Sequence, residues 1–354
     1  MKIAFIGEAV SGFGGMETVI KDVIGSLQRS SNVDCSLFFF CRNDKMDNNW
    51  LNGIKNFYSY SNQKISLFKR MKHISNFTAW VKSNKPDVVI CFDLISCLYA
   101  QSARKKTNEK YIIYSWPHFS LDHKKHSEYI IHADRHLAIS SGIKEQMLAR
   151  RVKESSITLI YNPIDKKNII IPQSSANEIK NFIYIGRIKF EGQKRVKDLL
   201  DTFSHVDGQW RLHIIGDGSD YMKCQEYSKS LNIASNITWY GWQANPWSLV
   251  TNQIKSVDAL ILTSAFEGFP MVLLEALSWG IPCLSSDCVS GPRDMIINGT
   301  NGYLYKPNDL NKLVTLIDKI ITNETVFHHD DIPLTVEKFY DEIYYKRISD
   351  LLTS

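Results

Sequence analysis

The 354-residue sequence lacks any apolar run long enough to cross a membrane, and its cysteines follow no disulfide or metal-binding pattern. The longest apolar candidate, residues 88–100, is too short and contains Asp93, whereas a membrane-spanning helix needs about 20 apolar residues. The seven cysteines are odd in number, scattered and never spaced C-x-x-C, so we expect them to be reduced and buried. No repeat is present, the 44% hydrophobic content indicates a globular protein, and the length suits about two domains.

Several ligand-binding motifs are missing as well. The P-loop motif G-x-x-x-x-G-K-[ST] does not occur, and the first glycine-rich turn departs from the register of the dinucleotide motif G-x-G-x-x-G. A P-loop ATPase is therefore not supported, and a dinucleotide-dependent oxidoreductase remains only as an alternative of a different class. His123 and His126 lack the carboxylate or cysteine ligands that would complete a zinc site, so we predict no metal centre.

Formal charge is unevenly distributed along the chain. The net charge is +5 overall, +9 for residues 1–160 and −4 for the remainder. A basic first half favours an anionic partner, which can be nucleic acid, a membrane surface or an acidic substrate. Because no aromatic–basic nucleic-acid motif is present, we expect no nucleic-acid partner.

Residues 64–85 are the most basic helix-like segment of that first half, with six Lys and Arg residues. The segment also carries three aromatic residues at roughly helical spacing, Phe68, Phe77 and Trp80. Two interpretations stay open, a helix that lies on an anionic membrane surface and an ordinary amphipathic helix of the first domain. Under the first interpretation, Lys69, Arg70 and Lys72 are the candidate contacts to membrane or acceptor.

Short apolar runs alternate with helical patterns, which predicts parallel sheets covered by helices. The rhythm lapses at residues 162–172, where two prolines forbid a helix, and then restarts. We therefore predict an α/β protein of two Rossmann-like doubly wound domains, residues 1–165 and 166–335, facing each other across a cleft. We expect the C-terminal helix, about residues 336–354, to pack back on the first domain. The opening residues predict a strand and turn rather than a signal peptide.

Two glycine-rich turns and one basic loop are candidate phosphate sites. Gly14 and Gly15 follow the first strand and open a helix, whose amide groups attract anions; a tight turn without a ligand is the alternative. In the second domain, Arg187 and Lys194 flank a strand-to-helix loop and could together bind a diphosphate. Gly216 ends another strand and can pass close to a ligand.

Residues 263–275 form the most specific motif. Glu267 precedes a Gly-Phe-Pro turn, and Glu275 lies about two turns into the helix that Pro270 can begin. A loop carboxylate can accept hydrogen bonds from sugar hydroxyls, and a helix carboxylate can bind a ribose diol. His118 is separate from these motifs and follows a predicted strand of the first domain, at the carboxyl end where ligands bind.

Together these motifs resemble the retaining, nucleotide-sugar-dependent glycosyltransferases of family 4, which have the GT-B fold. The likeness covers the whole chain and is strongest over residues 182–302. The residues that carry it include Gly14–Glu17, Tyr161–Pro163, Gly186–Arg187 with Lys194, Gly216–Gly218, Glu267–Glu275 and Asn301–Gly302. Residues 7–20, 38–47 and 115–126 further resemble members of the family that act on the lipopolysaccharide core of enteric bacteria.

The resemblance implies a role for each matching residue. Glu267 would hold hydroxyl groups of the donor sugar and His118 would contact that sugar near its reacting face, so these two are the catalytic candidates. Lys194 and Arg187 would neutralise the diphosphate. The donor-binding residues implied in all are Gly14, Gly15, Arg187, Lys194, Gly216, Trp242, Gly268, Phe269, Pro270, Met271 and Glu275.

The resemblance also implies an activity. It indicates transfer of galactose from UDP-galactose to a glucose of the lipopolysaccharide core, in an α-1,6 linkage and with retention of configuration. The first domain would bind the acceptor and the second the nucleotide sugar. We expect no cofactor and no required divalent metal, because two cations can stabilise the leaving diphosphate and no D-x-D pair is present. We further expect a cytoplasmic protein, peripherally bound to the inner membrane. Another UDP-hexose or glycan acceptor is the nearest alternative.

Overall fold

The computed structural model describes residues 1–9, 15–29, 32–42, 49–51 and 53–353. By contacts the chain divides into two compact units. The first unit comprises residues 1–163 and 342–354, and the second comprises residues 164–341.

The first unit is built on a parallel sheet. Among its described residues, seven strands pair in the order β3-β2-β1-β4-β5-β6-β7. The strands are β1 (Lys2–Glu8), β2 (Asp34–Cys41), β3 (Lys55–Tyr60), β4 (Val88–Cys91), β5 (Ile112–Ser115), β6 (Arg135–Ala138) and β7 (Ile157–Leu159). The helices between them are α1 (Gly15–Arg29), α2 (Ser66–Asn84), α3 (Leu94–Thr107) and α4 (Ser141–Ala149). Inner strands such as β4 are buried throughout, because helices cover both faces of a doubly wound sheet.

The apolar run at residues 88–100 becomes two elements rather than one. Asp93 interrupts it as the N-cap of α3, where its Oδ1 accepts a hydrogen bond from the backbone N–H of Ser96 at 2.9 Å. The cap satisfies one of the free amide groups of the first helical turn, so strand β4 ends and α3 begins at this residue.

The second unit has the same architecture. Its described strands pair in the order β10-β9-β8-β11-β12-β13, all parallel. They are β8 (Lys180–Ile185), β9 (Trp210–Ile215), β10 (Ile237–Gly241), β11 (Ala259–Leu262), β12 (Cys283–Ser286) and β13 (Gly302–Tyr305). The helices are α5 (Val196–Phe203), α6 (Tyr221–Ser230), α7 (Pro246–Leu249), α8 (Met271–Ser278), α9 (Pro292–Met295) and α10 (Leu310–Ile321). The last helix of the chain, α11 (Asp341–Thr353), belongs to the first unit from Glu342 onward.

Both sheets have a topological switch point. In the first unit the chain builds β1, β2 and β3 outward in one direction and then adds β4 on the other side of β1. In the second unit it does the same with β8 and β11. Open parallel sheets bind ligands beyond the carboxyl ends of the strands at such a point, so the β1/β4 and β8/β11 ends are where functional residues are expected.

The predicted fold class, two Rossmann-like doubly wound domains, is confirmed. Sequence periodicity missed two strands, β3 and β13, and both are sheet edges. An edge strand is covered less completely, and the β3 sequence KNFYSY is largely exposed or half-buried, so it lacks the apolar run that marks an inner strand. The prediction of buried cysteines is also confirmed. Within the described residues, no helix is long and apolar enough to cross a membrane.

Candidate functional site

Two of the predicted site residues contact each other at the switch point of the second unit. The Lys194 ammonium lies 2.6 Å from Oε1 of Glu267, with only 17% and 9% of the two side chains exposed. Gln193, which sequence reasoning passed over, donates from Nε2 to the other Glu267 oxygen at 3.4 Å. The two motifs that the sequence separates by about seventy residues therefore form one charged cluster.

Hydrogen bonds between the two loops hold this cluster in place. Thr263, directly after β11, donates from Oγ1 to the carbonyl oxygens of Lys194 at 3.0 Å and Arg195 at 3.1 Å. The Ala265 amide donates to the carbonyl oxygen of Gln193 at 2.8 Å. These bonds fix the backbone that carries the lysine against the loop that carries the glutamate.

Arg195 is the cation next to Lys194 in this loop, and its guanidinium contacts a different carboxylate. Its Nε donates to Oδ2 of Asp198 at 2.6 Å, in the first turn of α5. Lys194 is thus the cation that faces Glu267, although the two residues are neighbours in sequence. An ammonium group has three N–H donors, so its contact with Glu267 leaves donors for a phosphate oxygen.

Arg187 lies on the exposed surface just beyond β8. It borders a cavity of about 380 Å³ whose lining is more cationic than acidic. The charged residues that line it are Arg187, Lys189, Glu191, Asp220 and Lys223. The excess of positive charge suits an anionic ligand such as a diphosphate.

Gly216 lies where two loops of the second unit pack backbone against backbone. A Cβ on Gly216 would lie 1.9 Å from the carbonyl oxygen of Gly186, and its φ is +144°. A Cβ on Gly218 would lie 2.1 Å from the carbonyl oxygen of Ile188. The loops after β8 and β9 therefore approach each other at backbone distance, which only glycine allows at these positions.

Glu275 lies on α8 and accepts a hydrogen bond from the indole N–H of Trp247 at 2.8 Å. Burial raises the pKa of Glu275, while the Trp247 hydrogen bond and the nearby Lys167 oppose that rise. No sequence signal pointed to Trp247, because it belongs to the short helix α7 and reaches Glu275 only in the folded unit.

The Gly-Phe-Pro turn enters α8 as predicted, with Pro270 as its N-cap. Phe269 and Pro270 are buried, and Gly268 and Met271 are half-buried. A Cβ on Gly291 would lie 2.3 Å from Cδ of Pro270, so the loop after β12 packs tightly on the turn. Trp242, one of the donor-binding residues that the resemblance implies, follows β10 and is 62% exposed.

In the first unit, His118 is buried against Trp116, with 4.4 Å between ring centroids. Neither of its ring nitrogens has a hydrogen-bond partner among the described residues. Burial lowers the pKa of His118 to about 3, so the imidazole is neutral near pH 7. Gly15 is the first residue of α1, and Gly14 lies outside the described residues.

The three basic candidates on α2 differ in environment. Lys72 is exposed and Lys69 is half-buried. Arg70 donates to the hydroxyl of Tyr129 at 2.8 Å, and its guanidinium lies 5.5 Å from the centre of that ring. Arg70 thus connects α2 to the segment after β5.

Comparisons with known proteins agree with this architecture. Residues 13–168 match the model of Glycosyltransferase Family 4, and residues 165–331 match that of Glycosyl transferases group 1. The chain belongs to the family 4 glycosyltransferases and has their GT-B fold.

Two relatives match the chain over its whole length. The chain is 57% identical to the lipopolysaccharide 1,6-galactosyltransferase of Salmonella typhimurium strain LT2, over 100% of this chain and 99% of that protein. The enzyme of the same name from Escherichia coli K12 is also 57% identical, over 100% of this chain and 98% of the relative. The chain is therefore a hexosyltransferase.

Solved structures show the same fold. The apo form of lipopolysaccharide outer core galactosyltransferase WaaB superposes with a TM-score of 0.96 at 57% identity, covering 100% of this chain and 99% of that one. Anabaena HepE in complex with UDP-glucose has a TM-score of 0.77 at 17% identity, over 100% and 99% of the two chains. This second likeness concerns the fold alone.

Proposed function

We propose that the protein transfers galactose from UDP-galactose to a glucose of the lipopolysaccharide core, in an α-1,6 linkage and with retention of configuration. The observation that carries the donor half of the proposal is the Lys194–Glu267 contact of 2.6 Å at the switch point of the second unit. The names of the two relatives at 57% identity support the sugar and the acceptor.

The site has the groups that glycosyl transfer requires. The departing UDP diphosphate is an anion, which Arg187 and Lys194 can stabilise. The developing positive charge on the sugar ring favours a nearby carboxylate, and Glu267 is the buried candidate. In a retaining reaction without a covalent enzyme intermediate, the acceptor hydroxyl attacks from the leaving-group face and a diphosphate oxygen takes its proton. Glu267 then orients the donor sugar.

Two alternative functions differ in the support they have. Another UDP-hexose or another glycan acceptor fits the same site, because one side chain can distinguish the hydroxyl configurations of hexoses. Family membership argues against the dinucleotide-dependent oxidoreductase.

The direct test is a panel of UDP-sugars offered with lipopolysaccharide core molecules truncated at successive residues. We expect transfer of galactose to a glucose-terminated core, with an α-1,6 linkage in the product by NMR. Transfer of a different hexose would correct the donor, and transfer to no core molecule would contradict the proposal. Glu267→Ala and Glu267→Gln should both lose most activity, and near-normal turnover in both would remove Glu267 from the site.

We also propose that the enzyme works at the cytoplasmic face of the inner membrane, bound peripherally through the start of α2. Phe77 and Trp80 are packed in the core of the first unit. In contrast, four apolar side chains at the start of the helix are 50–60% exposed, namely Ile65, Leu67, Phe68 and Met71. Such a patch beside the basic residues of α2 matches the interface of an anionic phospholipid bilayer.

Vesicle binding tests this surface. The double variant Lys69→Glu/Lys72→Glu should lose most binding to vesicles that contain anionic phospholipid, because each basic residue contributes about 1 kcal/mol near such a surface. Phe68→Ser should weaken binding to the same vesicles without changing net charge. The matched control is Lys105→Glu/Lys106→Glu at the end of α3. Equal binding by wild type and all variants would contradict this membrane surface.

A further inference from the structure

Arg195 has a backbone conformation that its place in the chain does not explain. It is the residue directly before α5, with φ of +51° and ψ of +48°, in the left-handed region. Left-handed residues commonly end helices and are usually glycine, because a Cβ disfavours this conformation. A residue that begins a helix is usually extended and caps a free amide group with its side chain, but Arg195 makes no such hydrogen bond. Contacts from outside the helix must therefore hold Arg195 in this conformation.

The left-handed turn at Arg195 separates two neighbouring cations. The Lys194 ammonium lies 2.6 Å from Oε1 of Glu267, in the loop after β11. The Arg195 guanidinium instead contacts Asp198 in the first turn of α5. Because the chain passes from the loop into α5 at Arg195, the φ and ψ of this residue set the direction of the backbone that carries Lys194. Loss of the left-handed conformation would move the ammonium away from Glu267.

Thr263 contacts the backbone on both sides of the Arg195 α-carbon. This buried side chain lies directly after β11, and its hydroxyl group donates to the carbonyl oxygens of Lys194 at 3.0 Å and Arg195 at 3.1 Å. The first carbonyl belongs to the peptide group before the Arg195 α-carbon, and the second belongs to the peptide group after it. Successive carbonyl groups point the same way in a helical turn and opposite ways in extended backbone. One hydroxyl group that reaches both oxygens therefore excludes the extended conformation at Arg195, which is the usual one before a helix.

We propose that Thr263 is a positioning residue for donor binding. Its hydroxyl group keeps Arg195 in the left-handed conformation, which places the Lys194 ammonium beside Glu267 and within reach of the donor diphosphate. The inference rests on the proposed function, in which Lys194 binds the diphosphate of UDP-galactose. It deepens that function by naming a residue that contacts no substrate in this role and sets the position of the cation.

Three threonine variants test the role of the hydroxyl group. Thr263→Val removes the O–H at nearly constant volume, and Thr263→Ser keeps it. The matched control is Thr202→Val, since Thr202 is also buried in the second unit and donates to the carbonyl oxygen of Asp198 at 2.7 Å within α5. We expect Thr263→Val to weaken UDP binding about tenfold by calorimetry and to raise the KM for UDP-galactose about tenfold, with an unchanged acceptor KM. Thr263→Ser should bring both constants to within about twofold of wild type, and Thr202→Val should change neither.

Two variants of Arg195 test the backbone conformation itself. Arg195→Gly and Arg195→Ala both remove the guanidinium, but only glycine adopts a positive φ without strain. We therefore expect Arg195→Gly to be the more stable of the two in urea unfolding. Adding Thr263→Val should weaken UDP binding about tenfold in the alanine background and about twofold in the glycine background, because glycine does not resist the left-handed conformation. An equal effect in both backgrounds, or equal stability of the two single variants, would overturn the proposal.

A double variant tests whether Thr263 acts through Lys194. In the Lys194→Met background, Thr263→Val should change the affinity for UDP by less than about twofold, because the cation that it positions is already absent. Losses that multiply would show that Thr263 affects the nucleotide by another route and would overturn the proposal.

Further measurements separate positioning from stability and from the proposed function. Hydrogen exchange without ligand should be faster at residues 193–197 in Thr263→Val than in Thr202→Val, and equal exchange would contradict the hold of Thr263 on this loop. Lower stability of Thr263→Val in urea, with wild-type affinity for UDP, would assign Thr263 a structural role alone and overturn the proposal. If the wild-type enzyme transfers galactose and Thr263→Val binds UDP as tightly, this inference fails and the proposed function stands. If the wild type binds no UDP, both fail.

Discussion

The Lys194–Glu267 ion pair allows a quantitative prediction for stability. Replacing Lys194 by Met keeps the length of the side chain and removes its charge. Glu267 then stays buried, with the 3.4 Å contact from Gln193 as its remaining side-chain hydrogen bond among the described residues. Removing one partner of a buried pair costs roughly 3–5 kcal/mol. Because 17% of the Lys194 side chain is exposed and water can approach, we expect the lower end, about 3 kcal/mol.

A double-mutant cycle separates the energy of the charge interaction from the packing of the aliphatic parts of the two side chains. Lys194→Met/Glu267→Gln removes both charges together, so the uncompensated carboxylate of the single variant disappears. We expect a coupling energy of about 2 kcal/mol between the two positions. Lys189→Met is the matched control in the same loop, since Lys189 lies 3.8 Å from Asp220 with 40% and 30% of the side chains exposed. An exposed pair of that kind contributes less than about 1 kcal/mol.

The measurement is urea unfolding of the full-length protein without ligand, with hydrogen exchange to report on the segments around β8 and β11. Exchange resolved by segment is needed because two compact units need not unfold in one transition. The ion pair does not stabilise the fold if Lys194→Met destabilises the protein no more than Lys189→Met, or if the cycle gives no coupling. Either result would mean that water already solvates the Glu267 carboxylate well in the free enzyme.

Three further predictions concern pH, the nucleotide and metal. His118 has a folded pKa near 3, below its usual 6.5, so its contribution to stability is lost as pH falls below 6.5. From pH 6.5 to pH 5, the free energy of unfolding of the wild type should therefore fall by about 2 kcal/mol more than that of His118→Phe, measured by urea unfolding. An equal fall in the two proteins would contradict burial of the ring. Trp247→Phe removes the donor to Glu275 and should weaken UDP binding about tenfold by calorimetry; unaltered affinity would separate Glu275 from the nucleotide. Activity should persist in EDTA. Its abolition, with rescue by manganese, would show that Arg187 and Lys194 alone do not stabilise the leaving diphosphate.

The sequence predicted residues more reliably than it predicted their contacts. Glu267 and Lys194 each stand in a recognisable local motif, and their chemistry follows from residue type. Their direct contact depends on β8 and β11 being neighbours, which in turn depends on the strand order of the sheet. Trp247 and Gln193 escaped prediction for the same reason, because neither has a local pattern and both act through a partner that is distant in sequence.

The α2 segment also shows that composition alone cannot decide the environment of a residue. Its composition allowed a membrane-surface helix or a core helix, since both have basic and aromatic residues at helical spacing. Folding assigns the two halves of the segment differently. Phe77 and Trp80 pack in the core, whereas Leu67 and Phe68 remain exposed. Only the position of the helix against the sheet could separate these environments.

Local chemistry in the sequence determined the alternation of strands and helices, the glycine turns, the family and most of the charged candidates. These properties depend on neighbouring residues and on short spacings, which a linear chain already contains. The tertiary structure decided that Lys194 contacts Glu267, that His118 is buried and neutral, and that Thr263 contacts the carbonyl groups on both sides of the Arg195 α-carbon. Burial and contact depend on strand order and on packing between distant segments, so they exist only once the chain has folded.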